Sequence, residues 1–230
     1  MAVETFSPVA ELSPRDVKRR SQTVFAALEK EIVLGLLEPE ATLLELELAQ
    51  RFTCSQGTVR EALLRLSEEG LVNRLPRRGT RVAPCRSDDA RALLAIRNEI
   101  ECRYLSRAVA NFHAGARDDL MAEMNAMRNA ARDGDEYLLS VHDRRFHLRL
   151  FDTADLPVVT PMLARCLIHN HRFKILRWTG GRDLDETAER HRPIIDALAT
   201  GDADKVREVL SHHISTVVDF GPDIMRDGPS

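Results

Sequence analysis

Apolar positions recur at helical spacing through the first third of the chain and then change period. From about Val17 to Gly35, residues Val24, Leu28, Ile32 and Val33 or Leu36 share one face, which predicts a helix closing near Gly35. Leu46, Leu48 and Ala49 predict a short second helix over 45–52. Thr53-Cys54-Ser55 interrupts it, and Ser55 is placed to cap a third helix that carries Val59, Leu63 and Leu66 as far as Glu69. Gly70 then suits the left-handed residue beyond a helix end. After it, 71–75 reads as a strand, 76–79 as a turn and 80–82 as a returning strand. Three helices and a small hairpin predict a winged helix-turn-helix over 17–83, preceded by a flexible arm (1–16).

Beyond Pro84 the strand signal disappears. Residues 88–220 divide into six helical stretches, about 88–112, 116–133, 135–152, 156–178, 184–200 and 203–219, separated at Gly115, Asp133-Gly134, Pro157, Gly180-Gly181 and Gly201. Residues 221–230 read as a tail. The predicted fold class is mainly α, a winged helix-turn-helix followed by an all-α bundle. Composition agrees: 43% of the residues are hydrophobic but only 5% aromatic, as in helices packed through Leu, Ala, Val and Ile. Four scattered cysteines without C-x-x-C spacing argue against a disulfide framework or zinc ribbon and fit a reducing cytoplasm. No run approaches the ~18 apolar residues of a membrane span.

Charge sharpens the picture. The chain carries a net −3, yet residues 51–81 hold seven Arg against three Glu, a local +4. A basic segment in a weakly acidic chain points to a polyanion. In a helix-turn-helix the second helix enters the major groove by its N-terminal residues, which puts Ser55, Gln56, Thr58, Val59 and Arg60 at the groove. Arg60 can fork onto guanine or phosphate and Gln56 can pair with adenine. At the wing tip, Arg77 and Arg78 supply cations, and Gly79 lets backbone approach DNA closely. Arg65 and Arg74 are read as solvated.

Residues 24–82 resemble the GntR-type winged-helix regulators. The matching pieces are Ile32 to Gly35, Pro39, Leu48-Ala49, Ser55 through Leu63 with its VREAL core, Glu69-Gly70-Leu71-Val72, and Arg78-Gly79-Thr80-x-Val82. Glu40 stands where these regulators usually have Gly, and Gln56 and Gly57-Thr58 replace the usual Arg and Thr-Pro. The resemblance implies a ligand-responsive transcription regulator, a repressor by expectation, that binds a palindromic double-stranded operator as a homodimer. Its response would be a population shift between two DNA-binding states.

In the helical half, Asp143 and His147 lie four residues apart on one face with Leu139 and Leu150. His191 falls in the stripe Leu184, Ala188, His191, Ile195, Leu198, and His213 in the stripe Val206, Val209, Leu210, His213, Val217. His212 falls on the polar face. One Asp and three His on apolar faces can converge, and such N/O ligands suit a divalent ion, zinc or nickel above others. His113, His142 and His171 read as surface or structural.

About residues 90–216 are similar to the FCD ligand-binding domain of the FadR-like branch, in its six-helix VanR-like form. The matches are Asp143-Arg144-Arg145-Phe146-His147, Glu189 through Leu198, Gly201-Asp202 and His213-Ile214. The resemblance implies metal at Asp143, His147, His191 and His213, and a small carboxylate effector meeting Arg97. A surface Arg97 paired with Glu101 is the competing reading. Asn170, with His169 and Arg172, is a further candidate for the pocket. Two other functions fit the same residues: a metal sensor, and a metal-dependent hydrolase in which three His and an Asp activate water. Four protein ligands around one ion and no Glu placed as general base weigh against the hydrolase.

Overall fold

The computed structural model describes residues 14–75, 79–177 and 183–216, which fall into two compact units: one of residues up to 31 with 37–83, the other of 32–36 with 84 onward. Helix α1 spans Pro14–Val33, α2 Glu45–Arg51 and α3 Gln56–Glu68. Strands β1 (Thr42–Leu43), β2 (Val72–Leu75) and β3 (Gly79–Val82) form an antiparallel sheet in the order β1-β3-β2. The expected hairpin is present, with Val72 opposite Val82 and Leu75 opposite Gly79. Strand β1 was not legible: two residues, Thr42 and Leu43, carry no alternation to detect, and only pairing with Arg81 and Thr80 makes them a strand.

Val24, Leu28, Leu48, Val59, Leu63 and Leu66 are buried, as their spacing requires. Ser55 caps α3, its hydroxyl accepting from the Thr58 amide at 3.1 Å. Gly70 has φ +73°, and the Leu71 amide beyond it donates to the Leu66 carbonyl, which closes the helix end. Glu40 also adopts the left-handed region, at φ +68°, with its amide donating to Val82 O at 3.0 Å. The usual glycine is therefore absent from a backbone position that favours one.

The second unit is helical: α4 (Ser87–Arg103), α5 (Leu105–Ala110), α6 (Ala114–Arg132), α7 (Glu136–Asp152), α8 (Thr160–Arg177), α9 (Leu184–Glu189), α10 (Arg192–Leu198) and α11 (Ala203–Ser215). Asp135, Asp183 and Asp202 cap α7, α9 and α11, and His113 caps α6 by accepting the Ala116 amide at Nδ1. Two expected stretches are divided. The first, 88–112, breaks at Tyr104; the second, 184–200, breaks at Arg190-His191. The second break has a covalent cause, since Pro193 has no amide to donate and its ring excludes continuation of the preceding turn. His191 becomes the N-cap residue of α10 rather than a mid-helix residue. Helix α4 packs on α8 and α11, α7 on α6 and α8, and α10 on α11. Their facing sides enclose the core of Leu94, Phe146, Leu150, Ile195 and Leu210 together with a set of buried polar groups.

Candidate functional site

At the start of α3 the cap residue Ser55 and then Gln56, Gly57 and Arg60 are exposed, and Leu64 and Glu68 are exposed further along the helix. Thr58 and Val59, expected at the groove, are buried: Val59 belongs to the core, and the Thr58 hydroxyl lies 2.9 Å from that of Ser55 within the cap. The helix phase decides this, because residues three and four before Ala62 must face inward with it. Arg60 Nε donates to Glu45 Oε2 at 2.6 Å. Arg65, read as solvated, instead lies over the Phe25 ring at 4.2 Å and donates to Gln22. Gly79 opens β3 with φ +83° and an unobstructed approach to its Cα. Arg77 and Arg78 lie outside the described residues.

In the bundle, Asp143, His147, His191 and His213 are all buried, whereas His212 is exposed. The two apolar stripes therefore distinguish the adjacent histidines. His147, His191 and His213 offer ring nitrogens within 4.8 Å of one another. His147 Nε2 is 3.2 Å from His213 Nε2. Asp143 approaches the group with Oδ1 at 3.3 Å from His191 Nε2 and Oδ2 at 3.8 Å from His147 Nε2. Residues from α7, the start of α10 and α11 thus meet at one point.

The second ring nitrogens define which atoms are available. His147 Nδ1 faces Glu101 Oε2 at 2.7 Å, and His191 Nδ1 faces the Ala188 carbonyl at 3.3 Å. Each Nδ1 faces an acceptor and so carries the proton, leaving Nε2 with the lone pair turned toward the cluster. That is the tautomer a metal requires, with the supporting acceptors characteristic of ligating histidines. His191 Nε2 and His213 Nδ1 are buried without a hydrogen-bond partner, and Asp143 Oδ2 has His171 Nε2 beside it at 3.0 Å. A buried acceptor left unsatisfied is costly, and a divalent ion would satisfy the Nε2 lone pair of His191.

Electrostatics point the same way. Burial lowers the pKa of His147 against the opposing pull of Glu101. Burial, with His191 and His147 alongside, holds His213 well below the usual imidazole range. Asp143 is raised by burial but more strongly lowered by His171 and His191, and ends well below the usual carboxylate value. The same opposition of burial against His147 and Arg97 lowers Glu101.

Arg97 satisfies half of each expectation. It pairs with Glu101, Nε to Oε1 at 2.6 Å, but the pair is buried rather than superficial. Its Nη1 and Nη2 are buried without hydrogen-bond partners. Asn170 is fully buried as well, donating to the Ala90 carbonyl at 3.0 Å and leaving Oδ1 unpartnered. Arg172 is buried and donates to the Pro84 carbonyl, while His169 is half-buried.

Sequence reasoning passed over two members of the group. His171, read as surface or structural, is buried on α8 with Nε2 at 3.0 Å from Asp143 Oδ2, and burial pushes its pKa down to about 4 despite that carboxylate. Its helix lacks a clean apolar stripe, so phase alone could not place it. Glu101 had one legible signal, its i,i+4 spacing from Arg97, but not its contact with His147 46 residues later. A narrow opening lined by Glu136, Leu139, Ser140 and Thr187 reaches Asp143 and His171.

A winged helix-turn-helix joined to a helical domain with a buried polar cluster defines a class of ligand-responsive DNA-binding regulators. The family comparison agrees: the model described as bacterial regulatory proteins, gntR family, matches residues 20–82, and the FCD domain model matches 92–216. The chain belongs to the GntR family of bacterial transcriptional regulators, in its FCD-containing form. It is 29% identical over 204 residues to a probable D-xylose utilization operon transcriptional repressor of Paenarthrobacter nicotinovorans, covering 86% of this chain and 89% of that one. It is 25% identical to the HTH-type transcriptional repressor RspR of Escherichia coli K12, covering 86% of each. Among solved structures, E. coli McbR/YncC superposes with a TM-score of 0.72 at 22% identity over 85% of this chain and 93% of that one, which shows the shared fold. Family and relatives are regulators rather than enzymes, which sets aside the hydrolase alternative. No helix among the described residues is long and apolar enough to cross a membrane.

Proposed function

We propose that this regulator is a cytoplasmic repressor that binds a palindromic operator as a homodimer and responds to a small carboxylate held at a metal-containing pocket. The DNA contacts fall to Ser55, Gln56 and Arg60 on α3 and to Arg77, Arg78 and Gly79 at the wing. Thr58 drops out of the contact set and serves the cap. Asp143, His147, His191 and His213 would hold one divalent ion, zinc or nickel, which when bound supplies a Lewis-acidic anchor for a carboxylate oxygen. Arg97 would hold the other end of that carboxylate, with Asn170 beside it.

The observation that carries this reading is the charge balance of the buried cluster. With neutral histidines, Arg97 offsets Glu101, and Asp143 is left as a buried anion whose polar neighbours, His171 at 3.0 Å and His191 at 3.3 Å, carry no permanent positive charge. A lone buried charge of this kind costs several kcal/mol. A divalent ion would reverse the sum to a net +1, and a monocarboxylate would then neutralise it. Arg97 also favours an organic effector over the ion as sole signal, because its two unpartnered nitrogens require an acceptor that a cation cannot provide.

The test combines elemental analysis with DNA binding. Purified protein should contain about one divalent ion per chain. A panel of small carboxylates should include at least one that raises its melting temperature and shifts its affinity for DNA from its own promoter region. Metal-free protein as purified, with no uptake on zinc addition, would overturn the pocket reading and leave the DNA-binding assignment standing.

A further inference from the structure

Glu101 occupies a position that neither the metal nor the DNA reading uses. Its two carboxylate oxygens each accept one hydrogen bond. Oε1 takes Arg97 Nε at 2.6 Å and Oε2 takes His147 Nδ1 at 2.7 Å. All three side chains are buried, with relative exposures of 0% for Arg97, 3% for Glu101 and 0% for His147. No solvent competes for either bond, so the carboxylate fixes both partners at once.

Each bond has a separate consequence. At His147, a carboxylate at Nδ1 fixes the proton there and turns the Nε2 lone pair toward His213 and Asp143. At Arg97, the bond consumes Nε and leaves Nη1 and Nη2, the end of the guanidinium fork, without hydrogen-bond partners. A guanidinium held this way can meet a ligand carboxylate only end-on, through two parallel donors. We propose that Glu101 is the positioning residue of the pocket: one carboxylate that sets the tautomer of the metal-facing His147 and the orientation of the anion-facing Arg97, and so fixes the spacing between the two halves of the ligand site. This rests on the metal and carboxylate reading given above.

Glutamine is the informative replacement, because it keeps the shape but has one acceptor oxygen and a donor amide. It can serve Arg97 or His147, and the remaining partner then faces an N–H. In wild-type protein zinc should bind measurably in competition with a chromogenic chelator. In the Glu101→Gln variant its affinity should fall by about 10- to 100-fold, the usual cost of removing an outer-shell partner. With zinc saturating, acetate is the probe for the Arg97 side, and its affinity should fall as well, by roughly tenfold. A variant with wild-type zinc affinity overturns the proposal. Weakened zinc with unchanged acetate affinity also overturns it, since Glu101 would then serve His147 alone. Wild-type protein that binds no zinc defeats the metal reading itself and this inference with it, a result distinct from either of those. Should the variant fail to fold, the tautomer of His147 in 15N-labelled wild-type protein decides: Nδ1 must carry the proton, and an Nε2-protonated ring overturns the proposal.

Discussion

Arg60 Nε donates to Glu45 Oε2 at 2.6 Å, so the exposed arginine of the recognition helix is held by an acid on the helix before it. The pair is largely solvated and adds little to stability. Its effect is on direction: with Nε occupied, the two Nη groups remain for a guanine edge. Arg60→Ala should weaken operator binding by about 1–3 kcal/mol per half-site at fixed salt. Glu45→Ala should do something different. Removing a negative charge near phosphates should strengthen binding to random DNA, while the freed Arg60 discriminates less, so the ratio of specific to non-specific affinity falls. Competition gel shifts would measure that ratio. A variant with an unchanged ratio would show that Glu45 has no part in recognition.

Glu40 adopts φ +68° with its amide tied to Val82, and its side chain is exposed. A non-glycine residue there carries strain of about 1–2 kcal/mol. Glycine relieves it but adds roughly 0.5–1 kcal/mol of unfolded-chain entropy. Glu40→Gly should therefore stabilise the winged unit by about 0.5–1 kcal/mol. In urea unfolding this appears as a higher midpoint at unchanged slope; a lower midpoint would contradict the strain argument.

His212 and His213 are neighbours with opposite fates, one exposed and one buried at the cluster. The expected result is that His213→Ala loses the bound ion and with it the drop in melting temperature on chelation, because only an ion bound to the folded state stabilises it. His212→Ala should match wild type in both. Full metal content in both variants would remove His213 from the ligand set.

Acid should destabilise the chelator-treated protein. The folded pKa of His171 is about 4, below the 6.5 of a free imidazole, so between those values the unfolded chain binds the extra proton and the folded chain does not. Stability from this group is fully present above about 6.5 and is lost as pH falls toward 4. Asp143, lowered as well, loses its contribution only below the ordinary carboxylate range, as pH falls toward its depressed folded value, and so leaves the window above pH 4 to the histidine. Urea midpoints taken from pH 7 to pH 4 should decline, and His171→Asn should flatten the decline. A midpoint independent of pH across that window would show that His171 is not buried in its neutral form.

Local patterns alone determined much of this protein. The Ser55 cap, the Gly70 terminus, the hairpin and the helical second half all follow from propensities and spacings within a few residues. The apolar stripes also selected His213 over His212, because helix phase decides which of two adjacent side chains faces a core. Phase could have removed Thr58 and Val59 from the DNA surface too, had burial with Ala62 been weighed against their place at the helix start. The tertiary structure decided what no local window contains. Strand β1 exists only through its pairing with β3. The Arg97–Glu101 spacing was readable as an ion pair, but its burial depends on α8 and α11 packing over α4. Glu101 meeting His147, and His171 meeting Asp143, join helices whose separation in sequence carries no signal of distance in space. Periodicity states which face of each helix turns inward; only the packing of those faces states which polar groups share the interior.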